Sequence, residues 1–305
     1  MRIFTIGETT YDILFRDGLP VGACSGGSAY NSAISLGRCG LPVHLISKFG
    51  NDHIGDLSFD FLLKNGINCD YIKRFNGQSR IALAFFDADN NADYSFYQAS
   101  QDIFPEYPVP EKNDLILLGS SFALRDNGRE NLILYLQQAR KVGSIIIYDP
   151  NARQPVAEKP EILNKILQNI ALATIIKGSD QDFHNIFRLN DAKSVYAFIS
   201  ERGNLVLIYT KGAEGAELFT HNFHFEIKAK ETKVVSTIGA GDNFSAGIVY
   251  GLYNYMGDNR PFQELSPNVW EEIMNLGTLF ASEVCGSSEN YLTKETGKKL
   301  RNKLF

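Results

Sequence analysis

Cysteine is thin in this 305-residue chain, and its spacing builds no site. Cys24, Cys39, Cys69 and Cys285 stand apart without a CxxC pair, which excludes a thiolate zinc cluster or redox dithiol. Reduced thiols in a cytoplasmic protein are the expectation. His221 and His224 have HxxH spacing, with no cysteine or acidic companion to complete a zinc site. No apolar run approaches the roughly 20 residues that span a bilayer. Residues 1–7 are too short for the apolar region of a signal peptide and predict a buried first strand. Excess positive charge is lacking too: 30 Lys and Arg face 35 Asp and Glu, a net charge of -5. The basic run at Lys298, Lys299, Arg301 and Lys303 reads as a solvated helix end, so a nucleic-acid partner is not expected. A dinucleotide fold would need GxGxxG where residues 7–12 read Gly-Glu-Thr-Thr-Tyr-Asp. The GxxxxGK[ST] loop of a P-loop kinase is also missing.

What the chain does have is alternation. Residues 3–6 predict a strand, 28–36 a helix, 43–48 a strand, and 56–65 a helix stopped by Gly66. Strands follow at 115–118, 144–148, 174–177 and 205–210, separated by helices at 129–142, 161–173 and 192–202. This rhythm implies an α/β fold, a doubly wound and mostly parallel sheet with helices on both faces. Two stretches, 11–25 and 69–99, do not follow it. The second offers strands at 71–74, 81–87 and 94–97 with a turn at Asp89-Asn90-Asn91, so both are expected to form a small β-sheet lid inserted in one domain spanning 1–305.

Two segments carry chemistry. In Ser236-Thr237-Ile238-Gly239-Ala240-Gly241-Asp242-Asn243 a glycine-rich turn opens a helix of small and apolar residues. Free N–H groups and the positive helix end then converge on one spot, an anion site. Asp242 in the first turn would stand beside that anion as a base. The bland alternative is a tight turn with an acidic residue favouring the helix dipole. In Ser25-Gly26-Gly27-Ser28-Ala29-Tyr30-Asn31 the double glycine lets a ligand approach the main chain, and Asn31 offers a donor and an acceptor to a polyol. A plain strand-to-helix turn is the competing account.

Together these segments resemble the signatures of the ribokinase-like (PfkB) carbohydrate kinases, in the fructokinase-like branch. Other landmarks fall in order: Gly7-Glu8 with Asp12, Gly50-Asn51-Asp52 with Gly55, Asp149-Pro150-Asn151-Ala152-Arg153, and Thr210-Lys211-Gly212-Ala213-Glu214-Gly215. The resemblance implies an ATP-dependent sugar kinase using Mg²⁺. Asp242 would be its base, and the amides of Gly239, Ala240 and Gly241 would form its anion hole. Asp12, Gly26, Gly27 and Asn31 would hold the sugar, with Arg153 at the sugar or the phosphates. The nucleotide would meet Lys177, Ser179, Thr210, Gly212, Gly215 and Asn275.

Some positions depart from the family. Its Asn-x-x-Glu is Ser179-Asp180-Gln181-Asp182 here, leaving Asp182 to approach Mg²⁺ through water. Ser236 stands where cation-activated branches have a potassium-binding Asp, so monovalent activation is not expected. Ile238 replaces a common Thr. Fructose is the expected acceptor, ahead of other sugars and nucleosides. Aromatics at Tyr11, Phe85, Tyr94, Phe96 and Tyr97 would either clamp a nucleoside or simply pack a sheet. A non-catalytic sugar or nucleotide sensor is the alternative from another class. Homodimerisation through the lid is also expected, because an exposed aromatic sheet needs covering.

Overall fold

A computed structural model describes residues 1–87, 92–97, 103–203, 206–257 and 260–302. The first half runs β1 (Ile3–Ile6), β2 (Thr10–Arg16), β3 (Leu19–Gly26), α1 (Ser28–Arg38), β4 (Val43–Gly50), α2 (His53–Lys64), β5 (Ile72–Phe75), β6 (Ile81–Phe86), β7 (Ala92–Tyr97), β8 (Leu115–Gly119) and α3 (Arg129–Val142). It continues with β9 (Ile145–Asp149), α4 (Pro160–Leu172), β10 (Ile175–Ser179), α5 (Asp180–Phe187), α6 (Ala192–Ser200), β11 (Val206–Thr210), β12 (Ala216–Phe219), β13 (His224–Ile227), α7 (Ala240–Met256), α8 (Pro267–Cys285) and α9 (Lys294–Arg301).

Nine strands form the main sheet in the order β13-β12-β11-β10-β9-β8-β1-β4-β5, parallel from β5 to β11 and closed by an antiparallel hairpin. Its central strands are apolar without alternation (Ile-Phe-Thr-Ile, Leu-Ile-Leu-Leu, Ile-Ile-Ile-Tyr) because both faces are covered. Side-chain parity still divides the core. Ile3, Leu115, Leu117 and Ile147 pack with residues of α1, α7 and α8. Phe4, Ile116, Leu118 and Tyr148 pack with residues of α3, α4, α5 and α6 on the other face.

A second sheet, ordered β3-β2-β6-β7, makes the lid; β2 and β6 run parallel, and the two outer pairs are antiparallel. One expected lid strand belongs elsewhere. Residues 71–74 were expected in the lid, but β5 pairs with β4 at the edge of the main sheet, Ser47 opposite Ile72. The expected Asp89–Asn91 turn, Leu205 and Lys303 lie outside the described residues. α2 begins earlier than expected, because Asp52 caps it by accepting from the Gly55 amide at 2.8 Å. That landmark turn is structural: Asp52 also accepts from the Ser79 amide and hydroxyl. His224 does have an acidic neighbour, Glu217 across the β12–β13 hairpin at 3.1 Å, and it stacks on Phe219. All four cysteines are free thiols. No helix among the described residues is long and apolar enough to cross a membrane.

Arg38 helps tie the C-terminal segment back to α1. Arg38 is buried and donates to Asn65 Oδ1 at 2.7 Å and to the Leu292 carbonyl, while pairing with Glu289. Its guanidinium lies over the Tyr291 ring. Arg38→Met would strand these buried acceptors and is expected to cost about 3 kcal/mol. A urea midpoint unchanged from wild type would contradict this.

Candidate active site

The N-termini of α1 and α7 meet at the C-terminal end of the main sheet. Gly239 caps α7 in the left-handed region (φ 79°), and a Cβ there would lie 2.5 Å from the Asn290 carbonyl oxygen. Only glycine makes this turn at this spacing. Ala240 donates its amide to the Thr237 carbonyl, whereas no hydrogen bond among the described residues takes the amides of Gly239 or Gly241. Of the three expected amides, two are thus free donors at the positive end of a 17-residue helix. Asp242 stands beside them. Its Oδ2 accepts from Asn31 Nδ2 at 2.8 Å, and its carbonyl accepts from the Ser32 hydroxyl at 2.9 Å. α1 thus aims the carboxylate and fixes the helix turn that carries it.

The acceptor side adjoins this pair. Gly27 precedes α1 with φ 113°, and a Cβ would strike the Glu8 carbonyl oxygen at 2.3 Å. At Gly26 a Cβ would sit 2.7 Å from Asp12 Oδ2, so both glycines admit the close approach of β2 and of the Glu8 main chain. Asp12 is buried and accepts from the Thr10 hydroxyl at 2.6 Å. Burial pushes its carboxyl above the usual carboxylate range; nearby Asp242 adds to this, while Thr10 and Arg153 oppose it. Arg153 belongs to this side: its charge acts on Asp12, and its guanidinium lies over the Tyr94 ring. Among the described residues the buried Asn31 Oδ1 has no hydrogen-bond partner, and it is an acceptor that a bound hydroxyl would satisfy.

The residues expected at the nucleotide are less closely gathered. Lys177 is buried in β10, its Nζ 2.8 Å from Asp149 Oδ2. Ser179 and Asp182 form a capping box on α5: the Ser179 hydroxyl donates to Asp182 Oδ2 at 2.7 Å, and the Ser179 amide donates to the same oxygen. One Asp182 oxygen is thereby committed to the helix cap. Thr210 bonds the Gly178 carbonyl; Gly212 (φ 56°) has open space where a Cβ would point, and Gly215 (φ 109°) ends the turn. Asn275 is exposed on α8, and no hydrogen bond joins its side chain to the Gly212 turn.

Asn243 escaped the sequence reading. It is fully buried; its Nδ2 donates to the Gly239 and Asn290 carbonyls at 2.7 and 2.8 Å, and its Oδ1 accepts from Ser35. An amide in the small and apolar first half of α7 was the available signal.

The pattern of the pfkB family of carbohydrate kinases matches residues 18–296. The chain belongs to this family. As a pfkB carbohydrate kinase it is a phosphotransferase to an alcohol group. It is 25% identical over 259 residues to a fructokinase of Escherichia coli, covering 82% of this chain and 84% of that protein. Among solved structures it resembles fructokinase from Vibrio cholerae O395 in its fructose, ADP and calcium-bound form (TM-score 0.83, 20% identity, 98% of each chain). It also resembles aminoimidazole riboside kinase from Salmonella enterica complexed with aminoimidazole riboside and an ATP analogue (TM-score 0.79, 18% identity, 98% and 99% of the two chains). At these identities the likeness shows the fold, the ribokinase-like α/β sheet with its small second sheet.

The raised Asp12 has a measurable sign. A carboxyl whose folded value lies above its unfolded one contributes most to stability in acid, and that contribution is lost as pH rises through the folded value. Asp12→Asn is therefore expected to raise Tm at pH 8, with the gain vanishing towards pH of about 4. A gain that grew on acidification would contradict the assignment.

Proposed function

We propose that this pfkB kinase transfers the γ-phosphate of ATP to a hydroxyl of a free sugar, fructose being the best-supported acceptor. The observation that carries the reading is the Asn31–Asp242 contact, which aims a carboxylate beside two free amides and near the buried Asp12. Asp12 and Asn31 Oδ1 hold acceptor hydroxyls, with Gly26 and Gly27 letting β2 and the Glu8 main chain approach. Asp242 takes the proton as the hydroxyl oxygen bonds to phosphorus and the bond to the β-phosphate oxygen breaks, releasing ADP. The Gly239 and Gly241 amides donate to the phosphoryl oxygens as charge shifts towards the leaving side.

Among the described residues no group of three or more His, Cys, Asp or Glu side chains could cage a metal. That suits Mg²⁺, which keeps much of its water and binds phosphates; it would neutralise phosphate charge, with Asp182 reaching it through water. Potassium fits less well. The Ser236 hydroxyl, where cation-activated branches have an Asp, accepts from the Ile238 amide. Thr210, Gly212 and Gly215 would line the nucleotide from the β11 side and Asn275 from α8.

Support for fructose over a nucleoside comes from the fructokinase relatives and from Tyr94. Its ring carries the Arg153 guanidinium and stacks with Phe96, leaving less of it to clamp a base. The test is ADP release with Mg-ATP across fructose, other sugars, a keto-sugar acid and nucleosides. Release is expected with fructose, equally in potassium and sodium, and falling at least about 100-fold in Asp242→Asn. Ribose or adenosine far ahead of fructose would overturn the acceptor. Ligand binding with no turnover of any acceptor would favour the sensor.

The lid leaves Leu19, Val21, Phe85, Phe96 and Tyr97 exposed, and the proposed state is a cytoplasmic homodimer that covers them. Light scattering should give a dimer mass that Leu19→Glu halves. A wild-type monomer at every concentration would refute the pairing.

A further inference from the structure

We propose that the Asn290 side chain is a specificity-determining donor for the acceptor sugar, parked on the Cys24 sulfur until a hydroxyl takes its place. The inference rests on the kinase reading and adds a sugar-binding side chain to it.

Asn290 stands where the glycine turn meets the lid. Its carbonyl accepts from Asn243 Nδ2 at 2.8 Å and closes on Gly239, where a Cβ would lie 2.5 Å from it. Its side chain runs to the lid, where Nδ2 donates to Cys24 Sγ of β3 at 3.6 Å. Cys24 lies opposite Asp12 in the β2–β3 pair, and opposite residues of an antiparallel pair share a face. The Asn290 side chain therefore reaches the lid face that carries Asp12, while its main chain abuts the turn that carries Asp242. An acceptor held between those two carboxylates passes this amide.

Its partner singles it out. Five other asparagines among the described residues are buried: Asn31, Asn65, Asn169, Asn185 and Asn243. Each of them gives its Nδ2 to an oxygen, at 2.7 to 3.1 Å. Asn290 gives its own to sulfur. Burial and the nearby Asp12 charge push the Cys24 thiol up to about 12, so the sulfur stays a neutral thiol and a weak acceptor. A hydroxyl oxygen displaces such a partner at a net gain. The site also lacks donors for that oxygen. Asp12 and Asn31 Oδ1 only accept, and Arg153 is exposed.

The mount is stiff. Glu289 pairs with Arg38, whose guanidinium lies over Tyr291, and the Leu292 amide donates to Ser35 Oγ at 2.9 Å. None of these contacts uses the Asn290 side chain, so it can be changed without cutting the ties of its segment.

Three variants separate a parked donor from a structural contact. The readouts are kcat and KM for the best acceptor of the panel, and KM for ATP, with Tm reporting that each variant folds. Asn290→Ala is expected to raise acceptor KM about tenfold, the scale of one hydrogen bond, while kcat and ATP KM stay near wild type. Cys24→Ser offers the amide a stronger acceptor and should also raise acceptor KM, because the sugar must now compete for it. Cys24→Ala removes the parking partner and should leave acceptor KM at or below the wild-type value.

A structural contact predicts the opposite order, with Cys24→Ala weakening acceptor binding and Cys24→Ser sparing it. That order would overturn the proposal, as would equal losses for acceptor and ATP in Asn290→Ala. Should Asn290→Ala fail to fold, the two Cys24 variants decide. If wild type turns over no acceptor, the kinase reading fails separately, and calorimetric sugar affinities replace KM in the same comparison. A chain that binds no sugar overturns both.

Discussion

The structure depends on holding stiff a stretch of chain stripped of side chains. Gly239-Ala240-Gly241 exposes amides because nothing covers them, and the same bareness would leave the turn slack. Stiffness is borrowed from α1, more than 200 residues away in sequence: Asn31 grips the Asp242 carboxylate, Ser32 its carbonyl, and Ser35 the buried Asn243. Asn243 in turn fastens Gly239 and residue 290. Each bond is worth about 1 kcal/mol net, but together they leave the turn one arrangement.

That constraint accounts for much of the rest. α1 can reach α7 because β1 lies inside the sheet, between β4 and β8. The first and last thirds of the chain therefore meet where the strand order reverses, at the crevice where open α/β sheets place their ligands. Arg38 at the far end of the same helix secures the C-terminal segment, so one 11-residue helix braces both the turn and residues 289–292.

Legibility followed the range of the forces involved. The β1, β8, β9 and β10 strands announced themselves as apolar runs, and the 129–142 helix coincides with α3. The glycine turn and double glycine were legible because close approach admits no other residue. β5 was misplaced because a four-residue strand beside a β-rich stretch carries no mark of which sheet it joins; pairing with β4 decides that. α5 was passed over because its start lies in a Ser179–Asp182 capping box that was being read for metal chemistry. Asn243 and the Asp149–Lys177–Ser245 cluster depend on contacts between residues up to 208 positions apart, which no local pattern encodes.

Asp12 occupies β2, a lid strand, while Asp242 occupies a helix of the main layer. On the proposed reading, a sugar bonded to both is a bridge between two bodies, whereas a water bonded to either is not. The hydroxyl compound would thus be latch as well as reactant. ATP waiting in the cleft would be spared idle hydrolysis because the smallest competing nucleophile is too short to shut the door behind itself.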